Sequence, residues 1–182
     1  TLKISRLLIN YSIFLAPNFN AANLASFRSM VMQKKMCITP SAGGHLSQLL
    51  SLSPVWGDYE VICVSTGQMV KEKLEVIGKT YIVGECNREH PIRTLGVLFK
   101  CLRIILKEKP TVILSTGAAA GFLMCFWGKL FGAKVIWIDS IANAKKLSMS
   151  GRMIRPFADL ILSQWPDVAV QYAKVEYVGE LI

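Results

Sequence analysis

The stretch TVILSTGAAAGFLMCFWGKLFGAKVIWID, residues 111–139, places two β-branched apolar runs on either side of a small-residue turn and a long apolar segment. The runs TVILST and KVIWID predict buried strands, and residues 119–131 between them predict a helix. Residues 111–128 contain no charged side chain, and their length is at the lower limit for a membrane span. A strand followed by a helix explains this segment better, because it begins with β-branched residues and STGAAAG has the composition of a turn.

The same alternation of strand and helix patterns extends upstream. Strands are predicted in MCIT, YEVICVS and TYIVG, and helices in residues 45–53, 68–77 and 92–107. Val- and Ile-rich strands that alternate with helices predict the doubly wound α/β class, a Rossmann-like parallel sheet with helices on both faces. Residues 36–182 are expected to form this single domain. Residues 1–35 are an N-terminal extension, either an interfacial anchor or a non-native tail.

The charge of the chain calls for an anionic partner. The 182 residues include 21 Lys and Arg against 12 Asp and Glu, a formal net charge of +9. The basic residues are spread along apolar elements, which favours a membrane surface, and nucleic acid is not expected. The five cysteines are odd in number and widely spaced, so they predict reduced core residues and no metal site. Residues 2–16 lack a convincing cleavage site, so a cytosolic chain is expected.

The predicted helix 92–107 carries a basic stripe on a wide apolar surface. Arg93, Lys100, Arg103 and Lys107 lie at offsets of 0, 7, 10 and 14 residues, which places them on one side of a helix. Two interpretations remain open: the helix lies in a membrane interface, or it is a core helix with a solvated stripe.

The first turn of the pattern, SAGGH at residues 41–45, is a candidate anion site. Gly43 and Gly44 allow close backbone approach, and the start of the following helix supplies free N–H groups. The turn has neither the full dinucleotide-binding spacing nor a phosphate-binding lysine. His45 is either a capping or packed histidine, or a histidine at the carboxyl edge of a strand that acts as general base on a sugar hydroxyl or donates a hydrogen bond to a phosphate oxygen.

Two later stretches are also candidates. The turn Ser115–Gly121 leads from a strand into a helix, and its small residues suit either ligand contact or close helix–sheet packing. A dense polar stretch follows the strand that ends at Asp139. It is either part of a site or a solvated loop in which Ser150 caps a helix. Its polar residues are Asp139, Ser140, Asn143, Lys145, Lys146, Ser148, Ser150 and Arg152.

Taken in order, SAGGH, KPTVILSTGAAAG, WIDSIANAKKLSMSGR, ADLILSQWP and YVGEL resemble the motifs of a known family. The family is the acceptor-side, membrane-associating subunit of the two-subunit UDP-N-acetylglucosamine transferase of lipid-linked oligosaccharide synthesis. Similar proteins occur in bacterial capsule and exopolysaccharide biosynthesis. The resemblance spans roughly residues 36–182.

The resemblance implies the N-terminal, acceptor-binding half of a GT-B glycosyltransferase. A separate subunit would supply most of the binding site for the UDP-sugar donor, and no metal or other cofactor is expected. In such proteins the turn that matches Ser41–His45 faces the diphosphate of a polyprenyl-linked sugar acceptor, and the stretch that matches Ser148–Arg152 borders the same cleft.

The sequence therefore predicts one subunit of an inverting glycosyltransferase, inactive alone, at the cytoplasmic side of a membrane to which it is peripherally or weakly anchored. His45 and Asp139 are the candidate catalytic residues, with Asp139 orienting His45 or the acceptor sugar. About one α/β unit is expected after Asp139, and the partner is expected to dock at Trp165–Ile182. The alternative function is a non-enzymatic phosphate-binding module that recruits a partner to the membrane. The predicted acceptor-binding residues are Ser41, Gly43, Gly44, Thr116, Gly117, Ser140, Ser148, Ser150, Gly151 and Arg152.

Overall fold

A computed structural model describes residues 34–40, 52, 53, 56, 59–86 and 91–179, with the backbone alone at 91–93. In this part of the chain seven strands form one sheet with the order β3-β2-β1-β4-β5-β6-β7, and every neighbouring pair is parallel. The strands are β1 Lys35–Thr39, β2 Glu60–Ser65, β3 Lys79–Ile82, β4 Val112–Ser115, β5 Lys134–Ile138, β6 Leu160–Ser163 and β7 Val175–Tyr177.

Helices connect these strands and lie on both faces of the sheet. A 3-10 turn, Gln68–Val70, leads into the first α-helix of the described residues, and the longest of the described helices separates β3 from β4. The helices are α1 Lys71–Glu75, α2 Pro91–Glu108, α3 Ala118–Leu130, α4 Met149–Ile154 and α5 Pro166–Ala169.

The sheet separates two apolar cores. On one face, α2, α3 and α4 bury Cys101, Met124 and Ile154 against the strands, where Trp137 of β5 is fully buried. On the other face, Leu74 of α1 packs in a second cluster with strand residues. Strands buried on both faces explain the near-continuous apolar runs in the sequence. The prediction of a doubly wound parallel sheet with helices on both faces is confirmed.

The segment 111–139 folds as β4, α3 and β5, as its sequence predicts. β4 is paired with β1 on one side and with β5 on the other, so its uncharged run is explained by burial in the centre of the sheet. In the described ranges, every helix falls short of the combined length and apolarity that crossing a bilayer requires.

The region after Asp139 differs from the prediction of about one further α/β unit. Two helix–strand units follow it, α4 with β6 and α5 with β7. β7 has three residues, and Val175 alone among them is buried. Such a short strand has too few positions to show a period of two, so the sequence pattern predicted too few strands after Asp139.

Glu108, at the end of α2, ties that helix to the amino ends of the strands. Its carboxylate lies 2.7 Å from Lys79 Nζ and 3.0 Å from Lys35 Nζ, and it accepts a hydrogen bond from the Tyr81 hydroxyl. Burial alone raises the pKa of the Glu108 carboxyl, but these hydrogen bonds outweigh it and lower its pKa to about 2. The cluster therefore fixes the edge of the sheet opposite to the strand carboxyl ends.

Candidate functional site

The strand order reverses direction between β1 and β4, because the chain runs outward from β1 to β3 and then returns to β4. Ligands of open α/β sheets bind at such a switch point, beyond the carboxyl ends of the strands. Thr39 ends β1 beside Ser115, which ends β4, and the Thr116 amide donates to the Thr39 carbonyl at 3.3 Å. The chain segments that follow β1 and β4 therefore start side by side.

Hydroxyl side chains end several strands at this edge. Thr39, Ser65 and Ser115 close β1, β2 and β4, and all three are buried. Ser115 Oγ accepts from the Gly117 amide at 3.2 Å, whereas Thr39 Oγ1 and Ser65 Oγ have no hydrogen-bond partner within the described structure. Buried polar atoms are usually paired. Thr39 and Ser65 were not among the predicted site residues, although a hydroxyl residue at the end of an apolar strand was a visible signal.

The turn after β4 places the start of α3 at the switch point. Gly117 has φ 122° and Ala118, the first residue of α3, has φ 64°, so the chain passes through left-handed backbone where the helix begins. No side chain caps the first turn of α3. A Cβ on Gly121 would lie 2.3 Å from Ser115 Oγ, so glycine is needed where α3 presses on the strand end.

The geometry shows close helix–sheet packing at Gly121. The first turn of the thirteen-residue helix has no side-chain cap and lies at the carboxyl edge of the sheet, and ligand contact there stays a prediction. The predicted site residues Thr116 and Gly117 lie at the switch point, and Thr116 is buried.

Asp139 anchors the polar loop that follows β5. It is 3% exposed, and its carboxylate accepts hydrogen bonds from Trp137 Nε1 at 3.1 Å, the Ser148 amide at 2.8 Å and the Ser148 hydroxyl at 2.5 Å. Gly151 is buried against this cluster, since a Cβ there would lie 2.9 Å from Asp139 Oδ1 and from Ser148 Oγ. The structure thus brings together Asp139, Ser148 and Gly151 from the predicted set.

The cap of α4 corrects one interpretation of the sequence. Ser148, and not Ser150, is the N-cap, and its hydroxyl accepts from the Gly151 amide at 2.8 Å. The hydroxyl of Ser148 also donates to Asp139, a tertiary contact that local spacing does not reveal. Ser150 lies in the first turn of α4 and is partly exposed, while Arg152 is exposed on the same helix.

Two residues that follow β6 donate hydrogen bonds to backbone carbonyls at the start of the polar loop. The side-chain amide of Gln164 is buried and donates to the Asp139 carbonyl at 3.0 Å. Trp165 Nε1 donates to the Ile141 carbonyl at 2.6 Å. Ser140 Oγ accepts from the Ala142 amide at 3.2 Å, which closes a local turn. Loop 140–148 is therefore fixed at both ends, while Lys145 and Lys146 within it are exposed.

The predicted residues Ser41, Gly43, Gly44 and His45 lie outside the described residues. β1, which precedes them, ends at the switch point. Their roles in phosphate binding and catalysis stay predictions, and so does the orientation of His45 by Asp139.

The aromatic residues of the predicted docking segment 165–182 divide between two environments. Trp165 packs against the core of its own domain, and the Tyr172 ring lies 5.4 Å from the guanidinium carbon of Arg155. Tyr177, on the edge strand β7, is 50% exposed. Residues 180–182 lie outside the described part of the chain.

Several known proteins are similar to this chain. A family model described as "Oligosaccharide biosynthesis protein Alg14 like" matches residues 59–181. The UDP-N-acetylglucosamine transferase subunit alg14 of Schizosaccharomyces pombe is 27% identical, over 86% of this chain and 87% of that protein. The subunit of the same name from Candida albicans is 26% identical, over 93% of this chain and 89% of that protein.

The fold also has counterparts among solved structures. The crystal structure of Acinetobacter baumannii MurG matches with a TM-score of 0.67 at 13% identity, over 80% of this chain and 45% of that chain. This chain thus spans less than half of that protein, and the likeness concerns the fold. The predicted Rossmann-like fold of the GT-B type is confirmed.

Proposed function

The chain belongs to the family of Alg14-like oligosaccharide biosynthesis proteins, and from this premise we propose that it is the acceptor-binding, membrane-recruiting subunit of a heteromeric UDP-sugar-dependent glycosyltransferase. The sequence resemblance is confirmed at the level of the family. The proposed acceptor is a sugar carried on a polyprenyl diphosphate. Its extension would contribute to lipid-linked oligosaccharide synthesis or to a capsule or exopolysaccharide, at the cytoplasmic face of a membrane.

One observation carries the proposal: Asp139 fixes a basic polar loop after β5, the strand that pairs with β4, and the carboxyl end of β4 leads into α3. The acceptor diphosphate would bind between the two, because the uncapped first turn of α3 offers N–H groups and Lys145, Lys146 and Arg152 offer positive charge. The buried Thr39 hydroxyl lies 3.2 Å from the position of a Cβ on Gly121, beneath this turn.

The proposed reaction is an inverting transfer. The acceptor hydroxyl attacks the anomeric carbon of the UDP-sugar, the bond from that carbon to the UDP oxygen breaks, and the hydroxyl proton passes to a general base. His45 is the proposed base. Asp139 holds the loop that positions the acceptor, since both of its carboxylate oxygens already accept hydrogen bonds.

The donor would be bound mainly by a second chain. Relatives of this protein are named as transferase subunits, and a likeness to less than half of a GT-B structure fits one side of a two-sided cleft. A single side cannot orient both substrates or exclude water from the reacting atoms, so it loses most of the advantage of proximity. The chain alone is therefore proposed to be inactive.

The test is the transferase rate of the reconstituted complex with His45→Ala. Loss of a positioned acid–base group should lower the rate roughly tenfold to ten-thousandfold. The chain contains one other histidine, so His90→Ala is the matched control and should keep the wild-type rate. A His45→Ala complex with normal turnover would contradict the catalytic role. If recruitment of the partner to membranes also stayed intact, the result would favour the non-enzymatic phosphate-binding module.

A further inference from the structure

The net charge of the chain is concentrated in one segment. Residues 91–157 contain 11 Lys and Arg against 2 Asp and Glu, so this segment carries +9, the net charge of the whole chain. Outside it, 10 Lys and Arg balance 10 Asp and Glu. The two acidic residues of the segment, Glu108 and Asp139, are 4% and 3% exposed and are engaged in hydrogen bonds. Every exposed charge of 94–157 is therefore positive.

The same segment has an apolar outer surface. α2, α3 and α4 pack on one face of the sheet, and large apolar side chains on their outer sides are about half exposed. The Phe126 ring stacks on Phe122 at 6.2 Å and meets Phe157 edge-on at 5.5 Å, which joins α3 to the chain after α4. The exposed members are Leu95, Phe99, Leu106, Leu130, Met149 and Met153.

α2 shows how apolar and basic residues are arranged on this surface. Leu95, Phe99, Leu102 and Leu106 follow one another at spacings of 4, 3 and 4 residues and form a single outer stripe. Lys100, Arg103 and Lys107 each come one position after a member of that stripe, so they flank it, and all three are exposed. The opposite side of α2 is buried in the core.

We propose that the outer face of α2, α3 and α4 is a peripheral binding surface for a membrane that contains anionic lipid. Its apolar side chains enter the interface while the flanking basic residues meet lipid phosphates. This inference deepens the membrane placement in the proposed function. Because α3 begins at the switch point, the surface reaches the candidate site, where a diphosphate carried on a membrane-embedded polyprenyl chain would bind.

The charge pattern decides between a lipid surface and other occupants. A second copy of this chain would bring an identical basic surface, so like charges would oppose each other. A protein partner would need an apolar surface bordered by acidic residues. An anionic bilayer supplies both the apolar layer and the negative charge without further assumptions.

The contribution of the apolar side chains to membrane binding is tested on the full chain, by flotation with phosphatidylcholine vesicles that contain phosphatidylglycerol. The variant Leu95→Ser/Phe99→Ser/Leu106→Ser removes half-exposed side chains from the proposed surface and should weaken vesicle binding about tenfold or more. The matched control Met69→Ser/Val76→Ser/Val170→Ser removes side chains that are 96%, 89% and 85% exposed elsewhere. The control should bind vesicles as the wild type does.

The electrostatic contribution is tested with Arg103→Gln/Lys107→Gln. Binding to anionic vesicles should fall about fivefold for each charge, and the difference from wild type should shrink in high salt. Lys73→Gln/Lys174→Gln makes the same charge change away from the surface and should leave binding unchanged. These charge substitutions replace exposed side chains. They therefore keep the proposal testable if Leu95→Ser/Phe99→Ser/Leu106→Ser, the triple serine variant, does not fold.

The proposal would be overturned if Arg103→Gln/Lys107→Gln, or the folded triple serine variant, bound anionic vesicles as tightly as the wild type does. So would binding that depends on a second protein, or a wild-type dimer that the triple serine variant dissociates.

Failure of this inference is distinguishable from failure of the proposed function. With a short-chain, water-soluble acceptor, the triple serine complex should keep the wild-type rate, whereas with an acceptor in vesicles its rate should fall. A wild-type complex without transferase activity would refute the proposed function and leave the vesicle result standing.

Discussion

Replacing Asp139 by Asn tests whether this carboxylate holds loop 140–148 in place. Its two oxygens accept three hydrogen bonds, from Trp137 Nε1 and from the amide and hydroxyl of Ser148. In either orientation the Asn side chain sets its NH2 group against the N–H of Trp137 or of Ser148, so a buried donor loses its acceptor. A hydrogen bond to a charged group contributes about 1.5–3 kcal/mol. Asp139→Asn should therefore lower the free energy of unfolding by about 2–4 kcal/mol.

Thermal unfolding followed by circular dichroism measures this effect, and a loss of that size should lower Tm by about 5–15 °C. Asp167→Asn is the control, because Asp167 is exposed on α5 and its replacement should change stability by about 0.5 kcal/mol or less. Wild-type stability in Asp139→Asn would refute the anchoring role. If that stable variant had also lost transferase activity in the complex, Asp139 would act on the acceptor or on His45.

Three further perturbations have definite expected outcomes. Gly121→Ala should destabilise the protein by about 1–3 kcal/mol in urea unfolding, because its Cβ would lie 2.3 Å from Ser115 Oγ. Gly96→Ala is the matched change on exposed α2, where a Cβ meets nothing within 4 Å, so it should stabilise by about 0.5–1 kcal/mol; equal effects at the two glycines would contradict this packing. The folded pKa of Glu108 is about 2, below its ordinary value of 4.5, so its contribution to stability should be complete above pH 4.5 and be lost as the pH falls towards 2. Urea unfolding of Glu108→Gln across that pH range should lack this contribution, and a pH dependence identical to wild type would contradict it.

The sequence was a good guide to the elements of the sheet because most of them are long and strongly patterned. The run 111–139 contains enough β-branched residues and a clear enough turn to define β4, α3 and β5. β7 was not predicted, because three residues are too few to show the two-residue alternation of a strand. The parallel direction of the strands followed from their alternation with helices, whereas the strand order and the register that sets Thr39 beside Ser115 needed the structure.

The sequence located polar residues that lie at the carboxyl edge of the sheet, but it did not reveal their contacts. The polar density after Asp139 marked a real feature of the carboxyl edge, and Thr116 and Gly117 lie at the switch point. Local sequence could not reveal that the Asp139 carboxylate is already occupied by Trp137 and Ser148, because these contacts depend on how the loop returns to β5. For the same reason the sequence pointed to Ser150 as the cap of α4, whereas the structure has Ser148, whose hydroxyl also donates to Asp139.

This chain is proposed to be one side of a two-subunit transferase. The most direct measurement is sugar transfer by the purified chain from UDP-N-acetylglucosamine to a polyprenyl-diphosphate-linked sugar, with and without the candidate donor-binding subunit. We expect no transfer by either chain alone and sustained turnover by the two together, with activity lost when residues 175–182 are deleted from this chain. Turnover by this chain alone would contradict the claim.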